Sequence, residues 1–393
     1  MEQMTEKTGH GDCPCREAIR ALETAYYSKE DGSFRRRVDA AFEHMQPLPP
    51  ENPGENFWIG KQFSDLVRFL EEWCTFLPGI HGSHSDGLKY IEIFGQFYYK
   101  NPDGVAFVQD SPGREIMQAF AKQRGAFMES PASGGKIAEW LADERTERDD
   151  YVLPDPDAAD GGFDSFNAFF VRTLKAQDES RPQTMPERDY VIGAPADCIL
   201  NSVPLRITDA KTPIPTKGGQ ELNISELLDH SVYAERFVGG TALSCVLMPG
   251  AYHRYHAPVG GRVVESRIIE DAYYGYDDFP TWEHGGNVGY YGTEFGQFAS
   301  YKRGYFIVDT GKYGHVALVA VGLDTISSIV FIEKFSDVTA PVPVVRGEEL
   351  GHFRYGGSLF IMIFEPGRYH SDAIQVRLGN QIGMFDTQES DPE

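Results

Sequence analysis

The sequence predicts an α+β protein, with a helical N-terminal region followed by a β-rich, barrel-sandwich-like catalytic domain. Three observations carry that expectation. Apolar residues recur at three- and four-residue steps through roughly the first 150 positions, the period of a helix face. From Ile192 onward they form short runs instead (ALSCVLM, RGYFIVDT, HVALVAVGL, SLFIMIF), separated by glycines, prolines and charged turns. Between the two regimes lies DPDAADGGFD (155–164), acidic and rich in glycine and proline, which divides a helical domain over 1–155 from a catalytic domain over 165–388.

Each element follows from local pattern. Glu17 to Tyr27 is a charged, alanine-rich helix. Ser33 is placed to cap a helix reaching about Glu43, with Phe34, Val38 and Phe42 four residues apart. Phe63, Leu66, Leu70, Trp73 and Leu77 form an amphipathic stripe, and Tyr90, Phe94, Phe97 and Tyr98 repeat it. Ser111-Pro112 opens a further helix carrying Ile116, Phe120 and Phe127. These stripes read first as helix–helix core and second as the lining of a ligand pocket. Ser165 caps a short helix, FNAFFVRTL, whose phenylalanines dock on the β-rich segments C-terminal to it. The last residues, DTQESDPE, form a solvated tail.

Composition narrows the function. The apolar fraction of 41% and aromatic fraction of 13% are those of a globular chain. Fifty-nine acidic against 36 basic residues give a net charge of −23, which repels phosphate backbones and argues against nucleic acid as a partner. The same charge disfavours an anionic lipid surface unless a local basic patch overrides it. No apolar run approaches the ~20 residues of a membrane helix. The N-terminus lacks the apolar core of a secretory signal. Five cysteines (Cys13, Cys15, Cys74, Cys198, Cys245) at irregular spacing fit reduced thiols and a cytoplasmic location. Cys13-Pro14-Cys15 reads as a flexible tail, because nothing nearby completes a metal site.

Three segments carry chemistry. In RGEELGHFRYGGSLFIMIF (346–364) a Gly-Gly-Ser sits between strand-like runs, and the glycines leave the carbonyl before Ser358 open to attack by that serine's own hydroxyl. YHRYHAPVGG (252–261) offers His253 and His256, and GAPADC (193–198) offers Asp197: a base, and a carboxylate to orient it. Steps of three put His253 and His256 on opposite faces of a strand, so both reach one site only if the chain turns. A zinc reading of His253-x-x-His256, with His284 or His315 as further ligands, lacks the helical HExxH frame. The loop GGNVGYYGTEFG (285–296) does not join a strand to a helix and so is not a phosphate cradle. Its tyrosines, within the stretch from Tyr273 to Tyr301, read either as an aromatic pocket wall or as a mobile surface loop.

In this order, FNAFFVR, GAPADC, ELNISELL, YHRYHAPVGG and RGEELGHFRYGGS resemble the phosphatidylserine decarboxylase family over roughly the last 230 residues. The resemblance implies that the chain cuts itself between Gly357 and Ser358, leaving a large and a small chain. Ser358 then becomes a pyruvoyl group, an electron sink made from the chain itself, so no external cofactor and no metal are implied. It also implies that His256 is the base for cleavage, that Asp197 orients it, and that His253 meets the substrate carboxylate or protonates the carbanion. Where the membrane enzymes usually read Leu-Gly-Ser-Thr, this chain reads Gly356-Gly357-Ser358-Leu359. That departure is more similar to the soluble branch containing the tryptophan decarboxylase of psilocybin synthesis. A free aromatic amino acid is therefore the expected substrate. Phosphatidylserine at a membrane surface, in phospholipid biosynthesis, is the alternative. APVGGRVVE and VVRGEELGHF also resemble the paired halves of a lipoyl-type barrel sandwich, which supplies a rival: a non-catalytic carrier module with Lys334 at a hairpin tip.

Overall fold

The structure, a computed structural model, describes residues 13–30, 32–49, 54–80, 85–200, 205–206, 214–215, 221–222, 224–275, 300–323 and 328–370. His284, the 285–296 loop and the C-terminal tail lie outside the described residues.

The N-terminal region is helical, as its periodicity predicts. It contains α1 (Arg16–Tyr26), α2 (Ser33–Glu43), α3 (Phe63–Thr75), α4 (Ser85–Tyr98), α5 (Pro102–Gln109), α6 (Gly113–Met128) and α7 (Ile137–Ala142). The aromatic stripes meet as core. Trp58, Phe69, Trp73, Phe94 and Phe97 are buried and pack in edge-on, tilted and stacked pairs, with ring centroids 5.0–6.1 Å apart. Ser33 is the first helical residue rather than the cap. Gly32 holds that position, and its carbonyl accepts the first intrahelical bond, from Arg36 N, at 3.0 Å. Helix α5 does not stand out by periodicity, although Asn101-Pro102 is a start signal: the Asn101 side chain accepts from Gly104 N. Nor is Cys13-Pro14-Cys15 a loose tail. Cys15 is fully buried at the head of α1, and its amide donates to Cys74 Sγ at 3.0 Å.

After α7 the chain passes through short 3₁₀ turns to α8 (Phe166–Phe170), capped by Ser165 Oγ accepting from Ala168 N as predicted, and to α9 (Gln177–Ser180). The strands follow: β1 (Ile199–Leu200), β2 (Leu205–Arg206), β3 (Ile214–Pro215), β4 (Glu221–Leu222), β5 (Thr241–Leu247), β6 (Arg254–His256), β7 (Gly261–Ile269), β8 (Arg303–Asp309), β9 (His315–Leu323), β10 (Ile329–Phe331), β11 (Val342–Val344), β12 (Glu349–Phe353) and β13 (Gly357–Phe364). One antiparallel sheet has the order β1-β5-β13-β9-β8-β7-β11, with β2 also on β5, and a smaller sheet has the order β10-β12-β6. Among the described residues the large sheet does not close into a barrel. The two look-alike segments do meet, with Val344 opposite Gly261.

The result is three layers: helices, large sheet, small sheet. Side chains alternate along β13. Leu359, Ile361 and Ile363 join the helical core, while Phe360, Met362 and Phe364 join Tyr255, Phe331 and Phe353 of the small sheet. Burial on both faces explains why SLFIMIF reads as a continuous apolar run. The small sheet approaches closely at Gly304, where a Cβ would stand 2.5 Å from the Phe331 ring. Phe360 is wholly buried against Tyr255 at 4.9 Å, so Phe360→Ala is expected to cost ~3–5 kcal/mol. Urea unfolding reads this directly, and a loss below ~1 kcal/mol would contradict the layered packing.

Candidate active site

The Gly357–Ser358 peptide opens β13, a central strand laddered on both sides, with Ser358 opposite Leu247 of β5 and Gly322 of β9. The chain reaches it by crossing over from β12 through Arg354, Tyr355 and Gly356. Three contacts hold this crossing. Tyr355 N donates to Asn167 Oδ1 at 3.0 Å, Tyr355 Oη donates to the Gly87 carbonyl at 2.7 Å, and the Tyr355 ring packs edge-on to Phe166 and Phe170. The Phe-Asn-Ala-Phe-Phe helix thus braces the peptide that carries the serine. Ser358 is buried, and its Oγ donates to the Gly356 carbonyl at 3.3 Å, which folds the hydroxyl back over the Gly357 peptide.

His253 lies at the same crossing. Its carbonyl accepts from Phe353 N at 2.9 Å, and its ring packs 3.9 Å from Phe170. Nδ1 is 2.8 Å from the Ala251 carbonyl, so the proton sits there and Nε2 carries the lone pair. Nε2 is buried and has no hydrogen-bond partner among the described residues. Complete burial pushes this imidazole down to about 3, and it stays neutral.

His256 sits at the far end of the short strand β6, opposite Glu349. Its Nδ1 donates to the Gly347 carbonyl at 2.8 Å, and its Nε2 lies 3.2 Å from Tyr252 Oη. Gly347 adopts φ +83° to present that carbonyl, a backbone conformation that favours glycine, and a Cβ there would also displace the Gln183 amide. Burial lowers the His256 pKa, while the Gly347 carbonyl, Glu349 and Asp197 work against that fall. His256 and Asp197 face one cavity of ≈ 430 Å³, together with Arg181, Tyr252, Arg346 and Gly347.

The two histidines therefore divide as strand geometry dictates: His253 to the Ser358 crossing, His256 to the Asp197 cavity. Asp197 shares that cavity with His256, but its carboxylate is taken by Arg181 Nε at 3.0 and 2.9 Å. Composition gave no sign of Arg181, Tyr252, Asn167 or Tyr355 in these positions. Only Asn167, a polar residue inside the apolar FNAFF, offered a clue. His315 lies elsewhere, bonded through Nδ1 to Glu365 at 2.9 Å. Among the described residues no group of three or more His, Cys, Asp or Glu is placed to hold a metal ion. Lys334 occupies a 3₁₀ turn (Glu333–Phe335) and pairs with Glu348, rather than projecting from a hairpin tip as a carrier lysine would.

A buried serine at a strand head with a neutral histidine at the same crossing, and a second histidine sharing a separate cavity with a carboxylate, are the residue types that acyl transfer to serine uses. The phosphatidylserine decarboxylase family pattern matches residues 166–387, and the chain belongs to that family. Phosphatidylserine decarboxylase proenzyme 3 of Schizosaccharomyces pombe is 30% identical over 288 residues, 70% of this chain and 27% of its own length. Decarboxylase iboD of Amanita muscaria is 30% identical over 263 residues, covering 63% of this chain and 72% of its own. A phosphatidylserine decarboxylase proenzyme of Clostridium perfringens is 30% identical over 306 residues, covering 77% and 92%. The chain thus spans about a quarter of the Schizosaccharomyces pombe protein and nearly all of the clostridial one. Proenzymes of this family are carboxy-lyases that use a pyruvoyl group made from their own chain.

Proposed function

We propose that this chain is a pyruvoyl-dependent decarboxylase that activates itself at Gly357–Ser358. The observation that carries the reading is the placement of that peptide at a braced crossing, with the unspent Nε2 of His253 at the same crossing. Ser358 Oγ adds to the Gly357 carbonyl carbon and gives up its proton, and the C–N bond breaks to leave an ester. Loss of the Ser358 α-proton expels the Gly357 carboxylate. Hydrolysis of the resulting dehydroalanine releases ammonia and leaves a ketone. Once formed, that group supplies the electron sink for decarboxylation.

The base is assigned to His256 on strength. A group held down to about 3, as His253 is, takes a proton poorly; burial lowers His256 too, but there the Gly347 carbonyl, Glu349 and Asp197 work against the fall. In the structure His256 faces the Asp197 cavity, so the assignment requires the Tyr252–His256 pair to turn toward the crossing. His253, neutral and apolar-walled, suits the substrate side. The fragment beginning at residue 358 stays laddered between β5 and β9, so large and small chains should co-elute under native conditions and part only on denaturation. Separation on a native column would contradict this.

The substrate we propose is a free aromatic amino acid. A cavity of ≈ 210 Å³ adjoins the Met248–Ala251 turn, directly after the strand residue that pairs with Ser358, and Ile80 and Trp140 of the helical region wall it. That volume falls below the ~300–1,000 Å³ usual for larger ligands and suits one amino-acid side chain. Among the described residues no helix is long and apolar enough to cross a membrane. The deciding assay offers tryptophan and vesicle-borne phosphatidylserine separately and follows carbon dioxide and amine. Tryptamine release with no lipid turnover is expected, and turnover of the lipid alone would reverse the substrate while leaving the chemistry in place.

A further inference from the structure

Arg181, at the end of α9, faces three carboxylates. Nε bonds both Asp197 oxygens, Nη1 bonds Asp150 Oδ2 at 2.7 Å, and Nη2 reaches Glu147 Oε2. Glu147 and Asp150 belong to the 3₁₀ turns that come after α7, whereas Asp197 stands on the wall of the His256 cavity. One cation therefore ties the end of the helical region to the candidate acid–base pair. The surrounding carboxylates drive the Arg181 pKa further up, so it holds its charge throughout.

We propose that Arg181 is a positioning residue: by gripping Asp197 it orients that carboxylate on the cavity wall and shields His256 from the charge of three acids. The proposal rests on the reading of His256 and Asp197 as the acid–base pair. Tyr252 Oη meets Nε2 of His256, Gly347 meets Nδ1, Glu349 is compensated by Arg254 at 2.6 Å, and Asp197 is compensated by Arg181. Among the described residues the His256 cavity also holds Arg346, a second cation, which bonds Gln183 Oε1 and the Val191, Thr184 and Met185 carbonyls and is left in place in every variant below. With both carboxylates countered, His256 stays neutral and able to accept a proton at neutral pH. Removing Arg181 leaves Asp197, Asp150 and Glu147 without their shared cation. Negative charge favours imidazolium, so the His256 pKa must rise, and the fraction of free base at a given pH must fall.

The test titrates the His256 ring by NMR in full-length protein carrying Ser358→Ala, which keeps the chain intact whether or not the native chain cleaves. Arg181→Met should raise the His256 pKa, because the Asp197 charge then acts on the imidazole without its counter-ion. Arg181→Lys should return most of that shift. Glu147→Gln with Asp150→Asn, which removes two half-exposed acids and leaves the Arg181–Asp197 pair, should move the His256 pKa the other way and guards against misfolding of the methionine variant. An unchanged His256 pKa in Arg181→Met, or an upward shift in the double variant, overturns the proposal. Failure of the native chain to cleave would instead overturn the decarboxylase reading and leave this result standing.

Discussion

Ser358→Ala is expected to remain a single unbroken chain with no decarboxylase activity. Alanine has no hydroxyl to add to the Gly357 carbonyl, so neither the ester nor the ketone can form. The substitution should leave the fold alone, because among the described residues the Ser358 side chain bonds only the Gly356 carbonyl, at 3.3 Å, and its strand pairing is backbone. Equal thermal stability with no cleavage therefore separates lost chemistry from lost structure. Normal carbon dioxide release from this variant would sink the pyruvoyl mechanism.

His256→Ala and Asp197→Asn should slow self-cleavage by ~10²–10⁴-fold, the usual worth of a general base. The asparagine variant keeps the shape of the side chain but removes the charge that holds Arg181, so its defect reports electrostatics rather than packing. His253→Ala should cleave at least partly and then turn over substrate poorly. Denaturing gels of freshly made protein, followed over time, read the first effect, and amine formation by the processed fraction reads the second. If His253→Ala stops cleavage as completely as His256→Ala, the base is the histidine at the crossing, and strength was the wrong criterion.

Much of this architecture was legible from residue pattern. The three- and four-residue aromatic steps became α3, α4 and α6, and ALSCVLM, RGYFIVDT, HVALVAVGL and SLFIMIF became β5, β8, β9 and β13. Local signals failed where backbone groups decided. Gly32 rather than Ser33 holds the cap of α2, and the buried Cys15 is fixed by a thiol 59 residues away. Candidate site residues were named by type, and His256 and Asp197 do share a cavity, but their hydrogen-bond partners were not legible. Tertiary contacts set Asp197 on Arg181 and His256 on Gly347, and nothing in a linear motif encodes which of several acceptors an imidazole meets. The strand order of the large sheet likewise depends on pairings far apart in sequence, which two look-alike segments alone could not specify.

The central claim is tested most directly by intact-mass measurement of the purified native chain under denaturing conditions. The account predicts two species: residues 1–357 ending in a free carboxylate, and residues 358–393 lighter by one ammonia than the same peptide beginning with serine. A single species at the full 44.0 kDa from protein that still releases carbon dioxide would contradict it.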